Sequence, residues 1–139
     1  MRSLNATWLT KYILSASNGF VVINRLGTER GSPDQAYPRF KANGTIDWTL
    51  GDFGAAFTGR YISGVTESNG NRLGKTFYGD IQLSYSPSQL DRRVTFTAGV
   101  NNLFNKNPPG CFTCSVNNYD PTTYDVPGQF GYFRVAVKL

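Results

Sequence analysis

The segment Val94–Phe104, VTFTAGVNNLF, sets Val94, Phe96, Ala98 and Val100 against Thr95, Thr97, Gly99 and Asn101. A period of two puts the apolar groups on one face of an extended strand and the small polar groups on the other. Gln129–Leu139 repeats the pattern, with Gly131, Phe133, Val135, Val137 and Leu139 opposite Tyr132, Arg134, Ala136 and Lys138. Upstream, Phe40–Leu50 alternates without error: Phe40, Ala42, Gly44, Ile46, Trp48 and Leu50 face away from Lys41, Asn43, Thr45, Asp47 and Thr49. Gly51 and Asp52 then supply a tight turn, and Phe53, Ala55, Phe57, Gly59 and Tyr61 resume the apolar face, which predicts a β-hairpin. Phe77–Tyr85 and Ser3–Leu14 complete about six strands, Thr10 interrupting the apolar face of the first. Ser15–Tyr37, Gly64–Lys75, Ser86–Arg93 and Asn105–Gly128 are rich in turn-forming residues and predict loops, with Phe20–Ile23 a short strand inside the first. The expected fold class is all-β, an antiparallel up-and-down meander with free edges at Ser3–Leu14 and Gln129–Leu139.

The chain has 139 residues, one domain's worth. Fourteen Lys and Arg against nine Asp and Glu give +5, but the charges are scattered singly, so no nucleic-acid partner is expected. No apolar run approaches the roughly 18 residues of a transmembrane helix. A transmembrane β-strand is apolar only at every second position, so hydropathy does not argue against a barrel. Met1–Ala16 lacks a continuous apolar stretch, and no signal peptide is expected there.

Connection lengths favour a membrane sheet over a soluble one. They are long after the first and fifth strands, intermediate after the third and short after the second and fourth, as in barrels with long outer loops and short periplasmic turns. Aromatic residues stand near both ends of the apolar faces: Phe40 and Trp48, Phe53 and Tyr61, Phe77 and Tyr85. Rings at two interfaces with Ala, Gly and Ile between them are the girdle arrangement. The expected lipid-facing set is Phe40, Ile46, Trp48, Phe57, Tyr61, Ile81, Leu83, Phe96, Val100, Phe133 and Val135. The expected lumen-facing set is Lys41, Asp47, Arg60, Asp80 and Arg134, charges that are costly in lipid and acceptable in a polar interior.

GVNNLFNKNPP (Gly99–Pro109), followed by a loop and YDVPGQFGYFRVAVKL (Tyr124–Leu139), resembles the carboxyl-terminal end of TonB-dependent outer-membrane receptors. That family closes with a V-x-N-L-F-(D/N)-K segment and a final strand of the type G-R-x-x-x-x-R-x-x-Y-x-F. YPRFKANGTIDWTLGDFGAAFTGRYISGV (Tyr37–Val65) resembles its penultimate region. The signature falls on Asn101, Asn102, Leu103 and Phe104; Gln129 stands where Arg is common, and Leu139 where Phe or Trp is favoured. The resemblance implies that residues 1–139 are the carboxyl-terminal part of a transmembrane β-barrel. The plug domain and most strands would be absent, since transporters of this class have 22 strands. It implies a site in the cell outer membrane and uptake of a large nutrient such as an iron–siderophore complex, energised through TonB. The implied partners are outer-membrane lipid, the remaining barrel and plug, the TonB complex through that plug, and the assembly machinery through the last strand. Asn18–Gln35, Glu67–Arg72 and Asn107–Asp125 are the loops that would contribute to substrate binding.

Cys111 and Cys114 form a C-x-x-C in the last loop. A thioredoxin-like motif needs a βαβ context that the flanking Pro and Asn do not give. A zinc site needs two more ligands, and the chain has no His and no other Cys. Two free thiols or a loop disulfide remain. The disulfide is the favoured expectation for a loop facing an oxidising exterior, and the resemblance extends to receptors that hold a cysteine pair there. No catalytic constellation is present, so no enzyme activity, cofactor or metal is expected; Asn101 and Asn102 read as turn chemistry. The alternative is a soluble antiparallel sandwich or carbohydrate-binding module, whose aromatic residues would converge on one patch where a barrel has two belts.

Overall fold

The structure is a computed structural model that describes residues 2–15, 22–30, 34–125 and 127–138. Leu139, Asn18, Phe20 and Val21, named in the expectations above, lie outside the described residues. Among the described residues eleven strands run in the order β1 (Arg2–Trp8), β2 (Ile13–Ser15), β3 (Val22–Asn24), β4 (Thr28–Glu29), β5 (Phe40–Leu50), β6 (Phe53–Ile62), β7 (Val65–Glu67), β8 (Arg72–Leu73), β9 (Thr76–Tyr85), β10 (Val94–Asn101) and β11 (Phe130–Val137). A single 3₁₀ turn, Ser88–Leu90, is the only helical element among the described residues. The class is all-β.

Six strands build one antiparallel sheet in the order β1, β5, β6, β9, β10, β11, so every long strand pairs with its neighbour in sequence. Strands β1 and β11 are its two edges, and the sheet is not closed. Its register conserves the alternation from strand to strand. Ile46 pairs with Phe57, Phe57 with Ile81 and Ile81 with Val100, giving an apolar row across four strands. Thr45 likewise pairs with Thr58 and Thr58 with Asp80 on the other face. A slip of one residue would exchange the faces, which is why the pattern fixes the register.

The two ends of the sheet differ. At one end Leu50 and Phe53 close a two-residue turn in which Gly51 takes φ +60°, a region glycine enters without strain. The second short connection is bonded to this turn, because the Asp52 carboxylate accepts from the Ser88 N–H and hydroxyl, both at 2.9 Å. At the other end emerge the connections 9–39, 63–75 and 102–129. Buried apolar side chains concentrate there: Ala36, Ile62, Val65, Leu73, Tyr78, Cys111, Cys114 and Tyr124. The apolar face of the sheet carries no second layer among the described residues, and Trp8, Trp48 and Phe133 are 70%, 54% and 67% exposed.

Three expectations need correction. The first strand does not run from Ser3 to Leu14. Its ladder with β5 ends at Trp8 and Phe40, with one further bond from the Leu9 N–H to the Arg39 carbonyl at 2.8 Å. Tyr37, the next residue of the partner whose backbone would face β1, has its carbonyl bonded to the Gly27 N–H and its N–H bonded to the Thr28 carbonyl instead. Ile13–Ser15 pairs with β3 instead, and Tyr12 stacks on Tyr37 at 4.4 Å. The stretch 15–37, read as a loop with a strand at Phe20–Ile23, holds strands at Val22–Asn24 and Thr28–Glu29. The loop 64–75 contains the β7–β8 hairpin, and β7 also pairs with β4 in parallel.

Candidate functional site

The cap formed by the long loops is where polar side chains are buried. Residues 27–30 and 34–37 pair as the two arms of a hairpin: the Gly27 N–H donates to the Tyr37 carbonyl at 2.7 Å and the Tyr37 N–H to the Thr28 carbonyl at 2.9 Å. This hairpin lies beside β7, with Glu29 opposite Glu67 in the parallel register and bridged to Ala36 on its other side. The last loop bonds to the same hairpin. Asp120 accepts from the Ala36 N–H at 3.0 Å and from the Thr122 N–H and hydroxyl at 2.8 and 2.6 Å. Asp34 accepts from the Ser115 N–H, and from its hydroxyl at 2.6 Å. Glu67 accepts from the Thr113 N–H at 2.7 Å, from the Thr113 hydroxyl at 2.9 Å and from the Asn71 amide.

Three of these four carboxylates are thus saturated with donors, and the fourth is not. Glu29 is 2% exposed, and neither of its oxygens has a hydrogen-bond partner. Burial, followed by the charges of Asp120, Asp34 and Glu67, pushes its carboxyl up to about 7. Burial also raises the Glu67 carboxyl, but the donors of Asn71 and Thr113 outweigh it and hold the group below its ordinary value. The Tyr124 hydroxyl, buried without a partner, is raised by burial and by Glu29. Cys111 and Cys114 are joined by a disulfide, with Cα atoms 5.4 Å apart. The bridge encloses Thr113, the residue whose N–H and hydroxyl both reach Glu67.

On the polar face of the sheet Arg60 contacts Asp80 at 3.1 Å and Asp125 at 2.6 Å, with its guanidinium 5.3 Å from the Tyr78 ring centre. Asp80 also accepts from the Asn102 N–H at 2.8 Å. These contacts tie both ends of the last loop to β6 and β9. They border a cleft of about 620 Å³ lined by Arg60, Asp80, Asn101, Asn102, Asp125 and Phe130.

The register places Lys41, Asp47, Arg60, Asp80 and Arg134 on one face of the sheet. It places Phe40, Ile46, Trp48, Phe57, Tyr61, Ile81, Leu83, Phe96, Val100, Phe133 and Val135 on the other. Of the signature residues, Asn102 is a turn residue at φ +49°; its amide donates to the Lys106 carbonyl and accepts the Lys106 N–H. Leu103 donates its N–H to the Gly79 carbonyl at 2.7 Å. Phe104 lies over Gly79, where any Cβ would come within 2.5 Å of the ring. The loops expected to contribute to binding contain Glu29, Glu67 and Asp120, but none of the three was singled out in the sequence as a buried carboxylate. Single acidic residues in polar loops read as solvated, and only the Asp120-Pro121-Thr122 turn carries a local signal, an Asp able to accept from the residue two places on. Among the described residues no three His, Cys, Asp or Glu side chains are grouped to hold a metal. No family model, curated protein or solved structure matches the chain.

Proposed function

We propose that this chain is part of the wall of an outer-membrane β-barrel receptor of the TonB-dependent type, taking up a large nutrient such as an iron–siderophore complex. The observation that carries this is the exposed apolar face running through all six strands, with charged and polar groups behind it. Its rings gather toward the two ends, with Phe57 alone between them on β6. Trp8, Phe40 and Tyr61 neighbour one another at the loop end, with centroids 5.6 and 5.9 Å apart, and Phe53 stacks on Tyr85 at 4.7 Å at the turn end. Along β6, Phe53 and Tyr61 are separated by about 27 Å at about 3.4 Å per residue, which at the barrel strands' tilt of about 35–45° spans roughly 19–22 Å of the roughly 25 Å apolar band of a barrel wall. In a sugar-binding sandwich the rings would gather in one patch, and a second sheet would cover the face.

The chain's only two tryptophans, Trp8 and Trp48, are both on the apolar face. The test is fluorescence quenching in vesicles of brominated lipid. Both tryptophans are expected to be quenched, Trp8→Phe and Trp48→Phe variants reporting each separately. Emission unaffected by bromine, with a chain that stays monomeric in detergent-free buffer, would remove the barrel assignment and favour the sandwich.

A further inference from the structure

Glu29 contradicts the economy of the cap around it. A carboxylate 98% removed from water normally has donors, because an unpaired buried charge is among the most costly groups a fold can hold. Here it has none, and no ion pair among the described residues reaches it. Every element packed against it adds negative charge or a weak acid: Glu67 from β7, Asp120 and Tyr124 from the last loop, Asp34 and Tyr37 from its own hairpin. Arg25 and Arg30 line the same open cleft of about 520 Å³ without pairing with it. A metal is a poor answer, since among the described residues no three carboxylates are grouped to hold one. The remaining neutralising partner is a proton.

We propose that Glu29 is a proton-operated latch for the loop cap: neutral, it lets the paired segments 27–30 and 34–37 sit between β7 and the loop 111–125; ionised, it drives them out. These segments hold the loops together, the Ala36 N–H donating to Asp120 and the Gly27 carbonyl accepting from the Thr66 N–H at 2.9 Å, so their release opens the cleft. The sign follows from linkage. In the closed cap the group titrates at about 7, against 4.5 when free, so closure is complete at low pH and weakens as pH rises through neutrality. The latch does not depend on the barrel assignment, because it acts within the loops.

The experiment is amide hydrogen exchange on the full chain in detergent micelles, with rates divided by the intrinsic rate at each pH. Protection of the Gly27, Ala36, Tyr37 and Thr66 amides is expected to fall about tenfold between about pH 6 and pH 8.5. In Glu29→Gln it should stay high and flat, while β5–β6 amides are unchanged in both. Flat protection in the wild type, or an equal fall in Glu29→Gln, would overturn the latch. Should the variant not fold, the infrared carbonyl band of an un-ionised carboxyl in the wild-type chain decides. Its presence at about pH 6 with loss near neutrality supports the latch, and its absence at about pH 6 overturns it.

Discussion

The sheet and the cap are built inside out with respect to one another. In the sheet, large apolar side chains face outward: Leu4 is 78% exposed and Leu50 65%. In the cap, Glu67 and Asp120 are buried to 1% and 0%. The two regions therefore bury opposite kinds of side chain. In the cap most of the buried polar groups are matched with donors. The sheet pairs the backbone of its inner strands and leaves the large apolar side chains of one face uncovered among the described residues.

The sharpest way to break this contrast is to charge the apolar face. In lipid vesicles Phe57→Arg and Ile81→Arg are each expected to destabilise the sheet by about 2–4 kcal/mol, the cost of an Arg near the bilayer midplane. Thr58→Arg, on the opposite face, should cost about 1 kcal/mol or less, because it stays out of lipid. Denaturant unfolding of the three variants measures both; equal costs would mean that the two faces meet the same medium. A smaller effect should separate the cap from the sheet. Replacing Cys111 and Cys114 by Ser is expected to cost about 2 kcal/mol by loop-closure entropy. Exchange protection should drop around Thr113 and Glu67 and remain unchanged in β5, β6 and β9. The smallest effect belongs to the contact between the regions. Arg60 is one-third exposed, so Arg60→Gln should lower stability by no more than about 1 kcal/mol. It should nonetheless raise exchange of the Asn102 amide, whose acceptor Asp80 loses its partner.

The sheet was legible in the sequence because each strand states its own periodicity. The β5–β6 hairpin is the clearest case, with eleven alternating residues, a Gly-Asp turn and ten more residues in phase. The end of β1 was not legible, since Ile13 and Leu14 are as apolar as Leu4. What stops the ladder is the bonding of Tyr37 to Gly27 and Thr28, a contact between loop residues that nothing in the first strand announces. Strands β4, β7 and β8 have two or three residues each, too few to show a period. The buried carboxylates were illegible for a related reason. Nothing local distinguishes Glu29 from Glu67, yet one lacks donors and the other has them from Thr113, 46 residues further on. The cysteine spacing left free thiols and a disulfide both open, and the conformation of the surrounding loop, not the spacing, brings the sulfurs together.

The bond from Ala36 to Asp120 joins residues 84 positions apart, and it can form only after the strands between them have assembled. The disulfide spans a sequence separation of 3 and needs no such assembly. The two links therefore record different moments in the life of the chain. An oxidised Cys111–Cys114 pair reports only that the polypeptide has met an oxidant. A protected Ala36 amide reports that the wall beneath it is complete, which makes it the better marker for separating finished molecules from chains halted on the way.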